Sequence, residues 1–282
     1  MAESGVRRVE LPSGERIPAL GQGTWRMGER PTRRAEELEA LRLGLDLGLT
    51  LIDTAEMYGD GGAEELVADA IEGRRDDVFL VSKVLPSNAT RRGTVAACEG
   101  SLRRLRTDRL DMYLLHWRGR IPLAETVEAF EELRAAGKIR HWGVSNFDVH
   151  DLAEVMTVAG GEHVETDQVL YSLARRAAEY ELLPWCRERG LPLMAYSPVD
   201  RGRLIDNPVV ATIAAKHRAA TAQVALAWVL RHPDVCAIPK ASIPEHVREN
   251  RQALDIELDR DDLQLLDEAF PPPARPVPLE AI

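Results

Sequence analysis

Short apolar runs alternate with longer amphipathic stretches along most of the chain. The runs at 19–21, 49–52, 78–81, 110–115, 139–144, 164–169, 191–195 and 235–238 predict eight strands. Between them, apolar residues recur at three- and four-residue spacing over 35–47, 63–71, 95–105, 124–133, 152–158, 179–189 and 224–230, which predicts helices. Strands alternating with helices imply parallel strands joined by crossover helices. Eight such units in 282 residues fit an α/β fold of the (β/α)8 TIM-barrel type, for which about 250 residues is typical. The runner-up is a doubly wound open sheet. A Gly/Pro-punctuated start predicts a short N-terminal β-hairpin from 6–10 and 14–17, and the proline-rich stretch 270–276 predicts a surface loop or tail. No linker or low-complexity tract divides the chain, so residues 1–282 read as one domain.

Composition narrows the partners. An apolar fraction of 45% with 29% charged residues is that of a soluble globular chain. The net charge of −10 opposes nucleic acid and anionic membrane surfaces, so any anionic ligand needs a local basic site. No apolar run approaches the roughly 18 residues of a membrane span, and the start lacks a secretory pattern. The chain is expected to be a cytoplasmic monomer. Cys98, Cys186 and Cys236 are widely spaced and read as buried, reduced thiols. No His/carboxylate cluster has ligand spacing, so no metal is expected. Only four lysines occur, Lys83, Lys138, Lys216 and Lys240, in a chain that otherwise uses arginine.

Barrel chemistry gathers at the C-terminal ends of the strands, and polar residues follow the apolar runs there: Asp53, Lys83, His116, Ser145 with Asn146, Gln168, Tyr196 with Ser197, and Lys240. Any one of them reads as a solvated loop residue; together they mark a site. A tyrosine titrates near pH 10, too high for proton exchange near neutrality unless a neighbour stabilises phenolate. Lys83 can be that cation beside Tyr58, Asp53 can hold Lys83, and His116 can donate to a substrate oxygen. Singly, Tyr58 also reads as a packed aromatic and His116 as a satisfied rim histidine.

The pieces Gly21-Gln22-Gly23-Thr24-Trp25, Asp53-Thr54-Ala55-Glu56-Met57-Tyr58-Gly59, Ser82-Lys83, Leu114-Leu115-His116-Trp117, Gly137-Lys138-Ile139-Arg140, Gly143-Val144-Ser145-Asn146-Phe147, Ala195-Tyr196-Ser197-Pro198 and Ile238-Pro239-Lys240 with Glu249-Asn250 run in order along the chain. In them the chain resembles an aldo-keto reductase, most of all the bacterial branch acting on small aldehydes, methylglyoxal or diketogluconate. The resemblance implies NADPH-dependent reduction of a small carbonyl compound. Tyr58 would be the general acid, Lys83 would lower its pKa, Asp53 would anchor Lys83 and His116 would orient the carbonyl. It further implies that Gly23, Thr24, Trp25 and Asp53 contact the cofactor at its nicotinamide end, that Ser145, Asn146 and Gln168 bind its carboxamide, and that Tyr196 stacks on the ring. Ser197, Pro198, Val199 and Arg203 would lie over the pyrophosphate. Ile238, Lys240, Ser242, His246, Glu249 and Asn250 would hold the adenosine end, with Lys240 on a 2′-phosphate. Trp25, Tyr58, His116 and Trp117 would contact substrate, with Trp142 either joining them or packing in the barrel.

The chain departs from the family pattern at Ala241, at His246 and at Arg118-Gly119-Arg120, and a Rossmann motif fails separately. Ala241 and His246 occupy positions where the family commonly has a small hydroxyl residue and an arginine, which leaves NADH open beside NADPH; Ser242 and Arg248 lie near enough to compensate. Arg118 and Arg120 replace a common proline and read either as a solvated helix start or as an attractor of acidic carbonyl compounds. Arg26 stands where a Rossmann fingerprint would have its third glycine, so that motif fails. Two other classes remain: a barrel hydrolase or lyase, and a regulatory subunit that binds nicotinamide cofactor on a reductase fold.

Overall fold

The N-terminal hairpin pairs β1 (Arg8–Glu10) with β2 (Arg16–Pro18), setting Val9 opposite Ile17 with both side chains buried. The computed structural model describes residues 5–204 and 206–281, so the ends of the expected 1–282 unit, residues 1–4 and 282, lie outside it, as does residue 205. From β3 (Gln22–Gly23) the chain alternates strand and helix: α1 (Arg34–Asp46), β4 (Leu51–Asp53), α2 (Gly62–Ala70), β5 (Phe79–Val84), α3 (Arg91–Leu105), β6 (Leu110–Leu115) and α4 (Leu123–Ala135). It continues through β7 (Ile139–Ser145), α5 (Val149–Thr157), β8 (Val164–Leu170), α6 (Leu182–Glu188), β9 (Leu193–Tyr196), α7 (Pro208–His217), α8 (Thr221–Leu230) and β10 (Val235–Ile238). Two helices, α9 (Pro244–Gln252) and α10 (Arg260–Ala269), precede the C-terminal tail.

Strands β3 to β10 pair in sequence order, all parallel. The seam closes where Leu20 bridges Ala237 and Gly23 bridges Lys240; the Gly21 amide donates to the Ala237 carbonyl at 2.9 Å. This is the TIM barrel expected from the eightfold alternation. β5, β6 and β8 are buried along their whole length, as parallel strands covered on both faces must be. Regular pairing in the first barrel strand falls on Gln22–Gly23 rather than on 19–21. Segment 19–21 is instead the seam, where the backbones crowd: a Cβ at Gly21 would meet the Leu51 carbonyl oxygen at 2.7 Å, and one at Gly23 the Ile238 oxygen at 2.7 Å.

Three helices went unread in the apolar pattern, each for its own reason. α7 is small and apolar nearly all round, α9 buries little beyond Val247, and α10 is announced mainly by its cap, where the Asp259 carboxylate accepts from the Asp262 amide. Residues 271–281 have no regular structure, as their prolines predict. The segment around Val277 to Leu279 lies against α5 and the turn Ala177–Glu179. The hairpin sits at the end of the barrel opposite the carboxyl ends of the strands: Glu15 reaches Arg140 and His141 at the start of β7, and the Ser13 amide donates to Glu165 at the start of β8.

Candidate active site

The carboxyl ends of β4, β5 and β6 bring four chemistry-bearing side chains together. Lys83 is fully buried, and its three ammonium donors are all placed: on the Asp53 carboxylate at 2.7 Å, the Thr54 carbonyl at 2.9 Å and the Tyr58 hydroxyl at 3.2 Å. Because Tyr58 accepts from Lys83, its own O–H proton is left to face the cleft. The other side of Asp53 accepts from the Gln168 amide at 2.8 Å. The rings of Tyr58 and His116 meet edge to face at 5.8 Å, and Trp117 lies beyond at 4.9 Å from His116.

Burial would lower the Lys83 pKa, yet Asp53 and Tyr58 more than offset it and hold the ammonium charged above its ordinary value. The Tyr58 phenol departs from expectation. Burial pushes it above its ordinary value, and Lys83, which pulls downward, does not prevail. The phenol is therefore a fully loaded proton donor at neutral pH. Burial, aided by the Lys83 charge, pushes His116 down to about 3, so its imidazole is neutral.

These groups open on a cleft of about 320 Å³. Gly23, Trp25, Asp53, Tyr58, His116 and Trp117 line one side; Ser145, Asn146, Gln168, Tyr196 and Ser197 line the other; Ile238 and Lys240 close the far end. Asn146 is fixed at a left-handed φ of 60° and donates to Ser145 Oγ and to the His116 carbonyl, while Tyr196 donates to it at 2.8 Å. Most of the non-glycine residues with positive φ, Arg26, Asp60, Asn146, Ser197, Asp200 and Arg201, belong to the loops around this cleft. Such strained backbone persists where surrounding structure over-determines it.

Several expected residues lie elsewhere. Thr24 is buried beneath the cleft, donating to the Asp53 carbonyl. Pro198, Val199, Arg203, His246, Glu249 and Asn250 do not line it, and Arg203 is exposed. Arg201 lines it instead, with its guanidinium 4.5 Å from the Trp25 ring centre; Arg26 sits at 4.4 Å from the same ring. Met57 and Ala281 also line the cleft without having been anticipated. Met57 lies within the quoted motif but has no polar signature, and Ala281 is delivered by tail geometry alone. Ser242 is buried beside Lys240, whose ammonium donates to its Oγ at 2.9 Å; the arginine that also reaches Ser242 is Arg33, not Arg248.

Trp142 packs in the barrel wall against Phe130 and donates to Glu131. Arg118 is paired with Glu154 on α5 at 3.0 Å, and neither it nor Arg120 lines the cleft. Lys216, unexplained in the sequence, ties α7 to the cap of α10 through Asp259 and Asp262. The three cysteines are buried, and burial pushes Cys98 and Cys236 up to about 12 and Cys186 still higher. The carboxylates and imidazole close enough to share a cation, Asp148, His150 and Asp151, sit at the start of α5 outside the cleft, where Asp148 already caps the helix.

The donor set suits a dinucleotide. An aromatic ring, an amide and hydroxyls surround Tyr58 and Lys83, and the Lys240 ammonium stands at the other end. The model of the aldo/keto reductase family matches residues 19–270. The chain is 50% identical to the methylglyoxal reductase YeaE of Escherichia coli over 98% of its own length and 99% of the relative's. It is 38% identical to a glyoxal reductase of Bacillus subtilis over 92% and 91%. Among solved structures, an aldo-keto reductase from Klebsiella pneumoniae in complex with NADPH superposes with a TM-score of 0.96 at 53% identity, covering 98% of this chain and 99% of that one.

Proposed function

This chain belongs to the aldo/keto reductase family, and from that premise we propose that it reduces small aldehydes and ketones, 2-oxoaldehydes such as methylglyoxal among them, to alcohols with NADPH. The observation that carries the reading is the buried Lys83 ammonium, which touches Asp53 and Tyr58 at once under a cleft that His116 enters.

A bound reduced nicotinamide supplies the hydride for the carbonyl carbon. Ser145, Asn146 and the side-chain oxygen of Gln168 are the groups suited to its carboxamide, Tyr196 and Trp25 to its ring, and Lys240 with Ser242 to the phosphate of the adenosine end. Tyr58 gives its proton to the carbonyl oxygen, and the Lys83 ammonium at 3.2 Å stabilises the phenolate left behind, a charge that develops only in the transition state. His116, neutral, donates an N–H to the same oxygen and aligns it. Asp53 keeps Lys83 charged and in place. Trp25, Met57 and Trp117 give the cleft an apolar wall, which suits a short substrate. The reading takes 1–282 as one catalytic domain acting as a cytoplasmic monomer. The net charge of −10 disfavours nucleic acid, and no helix among the described residues is long and apolar enough to cross a membrane.

Purified protein is expected to oxidise NADPH when methylglyoxal is supplied. Tyr58→Phe should lower kcat about 10²- to 10⁴-fold while the cofactor Kd, measured by tryptophan quenching, stays within twofold. Turnover that survives this change would remove Tyr58 as the acid.

A further inference from the structure

Two cations from opposite ends of the sequence converge on one hydroxyl. Lys240 Nζ donates to Ser242 Oγ at 2.9 Å, and Arg33 Nη2 donates to the same oxygen at 3.1 Å. Ser242 is buried, whereas the Arg33 side chain is 38% exposed. With both acceptor sites of the hydroxyl occupied, its own proton is left to donate outward. Lys240 makes no ion pair among the described residues; burial lowers its pKa and the charge of Arg33 lowers it further. Arg33 has one carboxylate partner, Glu36, in an exposed pair at 3.1 Å. Two neighbouring cations that share a neutral hydroxyl repel each other, and in a chain of net charge −10 this local excess calls for an anion from outside.

The backbone points the same way. Arg33 immediately precedes α1, Ser242 lies just before α9, and the two helices pack against each other. The α9 N-terminus has no side-chain cap, so its open amides and positive dipole end lie beside the cation pair, whereas the turn Pro31–Arg33 runs directly into α1 and takes up the Arg34 amide.

We propose that Arg33, Lys240 and Ser242 form a clamp for a phosphomonoester dianion, the 2′-phosphate of the cofactor, and that Arg33 supplies the guanidinium that His246 cannot. The inference rests on the NADPH reading above and adds to it a specificity-determining residue outside the segment around Lys240. A guanidinium grips phosphate through two parallel N–H donors, a geometry closed to imidazole and ammonium. Glu36 holds the fork near its working position and gives way to the stronger acceptor.

The test is titration calorimetry with NADP+ and NAD+, which differ only in the 2′-phosphate, on the wild type, Arg33→Met, Arg33→Lys and Lys240→Met. Arg33→Met should weaken NADP+ about ten- to hundredfold, the scale of a lost charged hydrogen bond. NAD+ should stay within twofold, which also certifies the fold. Arg33→Lys should recover part of the loss, and 2′-AMP should bind the wild type more tightly than 5′-AMP does. Equal weakening of both dinucleotides by Arg33→Met, or none, overturns the assignment. If the wild type prefers NADP+ and only Lys240→Met abolishes that preference, the NADPH reading stands and the Arg33 clamp falls. If the wild type binds both dinucleotides equally, both fall.

Discussion

His116 takes its charge state from its surroundings, and this has a measurable consequence. Its folded pKa of about 3 lies below the ordinary 6.5 or so. Above that ordinary value neither folded nor unfolded chain carries the proton. As the pH falls below it the unfolded chain binds a proton that the folded one refuses, so stability is lost from about pH 6.5 downward. At pH 5 the loss is about 2 kcal/mol. His116→Gln should remove this term, and the gap between urea midpoints at pH 7 and pH 5 should shrink; an unchanged gap would mean that the imidazole is not held neutral. Tyr58 sets the other limit. With its phenol above the ordinary value, kcat/KM for carbonyl reduction should stay flat to about pH 9 and fall only beyond it, whereas a fall centred near neutrality would show a much lower phenol pKa. The four residues proposed for the chemistry could be picked out in the sequence because Asp53, Lys83 and His116 are titratable types at the ends of apolar strands and Tyr58 lies in the short loop after Asp53. Arg33 and Arg201 were not, since loop conformation decides where they reach: Arg201 adopts a φ of 55° and lies over Trp25.

Among elements, the hairpin behaves as a plug separable from the chemistry. Glu15 joins it to Arg140 and His141, and Glu165 accepts from both His141 and the Ser13 amide. Burial opposes the charged form of His141, but Glu165 and Glu15 outweigh it and raise its pKa. This contribution is therefore full below the ordinary histidine pKa and fades as the pH rises through the folded one. Glu15→Ala should cost about 1–2 kcal/mol, a fall in Tm of roughly 2–8 °C for a domain of this size, with kcat/KM unchanged. A change in kcat/KM would mean that the plug is coupled to the cleft. The strands were readable because enclosure on both faces demands apolar runs. α9 and α10 were hidden because each packs on neighbouring helices, α9 on α1 and α8 and α10 on α7, along a narrow stripe, so capping and charge outweigh hydrophobic periodicity in their sequences.

For the molecule as a whole, Arg175 links two segments that are far apart in the chain. It pairs with Glu280 of the tail at 2.7 Å and with Asp200 at 3.6 Å, in the loop that carries Arg201 to Trp25. The Glu280 pair lies at the surface, where such a contact is worth at most about 1 kcal/mol; Asp200 is buried but sits at the long limit of an ion pair. Arg175→Met should accordingly raise the KM for the carbonyl up to about fivefold, with Tm nearly unchanged; an unaltered KM would mean that tail and loop hold their places independently. The sealed position of Lys83 and the burial of all three thiols bear on chemical durability. Dicarbonyl compounds are electrophiles that derivatise amines and thiols, and this fold offers them neither the buried Lys83 amine nor a thiolate. Prolonged exposure to a dicarbonyl compound should leave every cysteine titratable once the chain is unfolded, and the damage that does accumulate should fall on the arginines at the mouth of the cleft, where a bound cofactor would shield them.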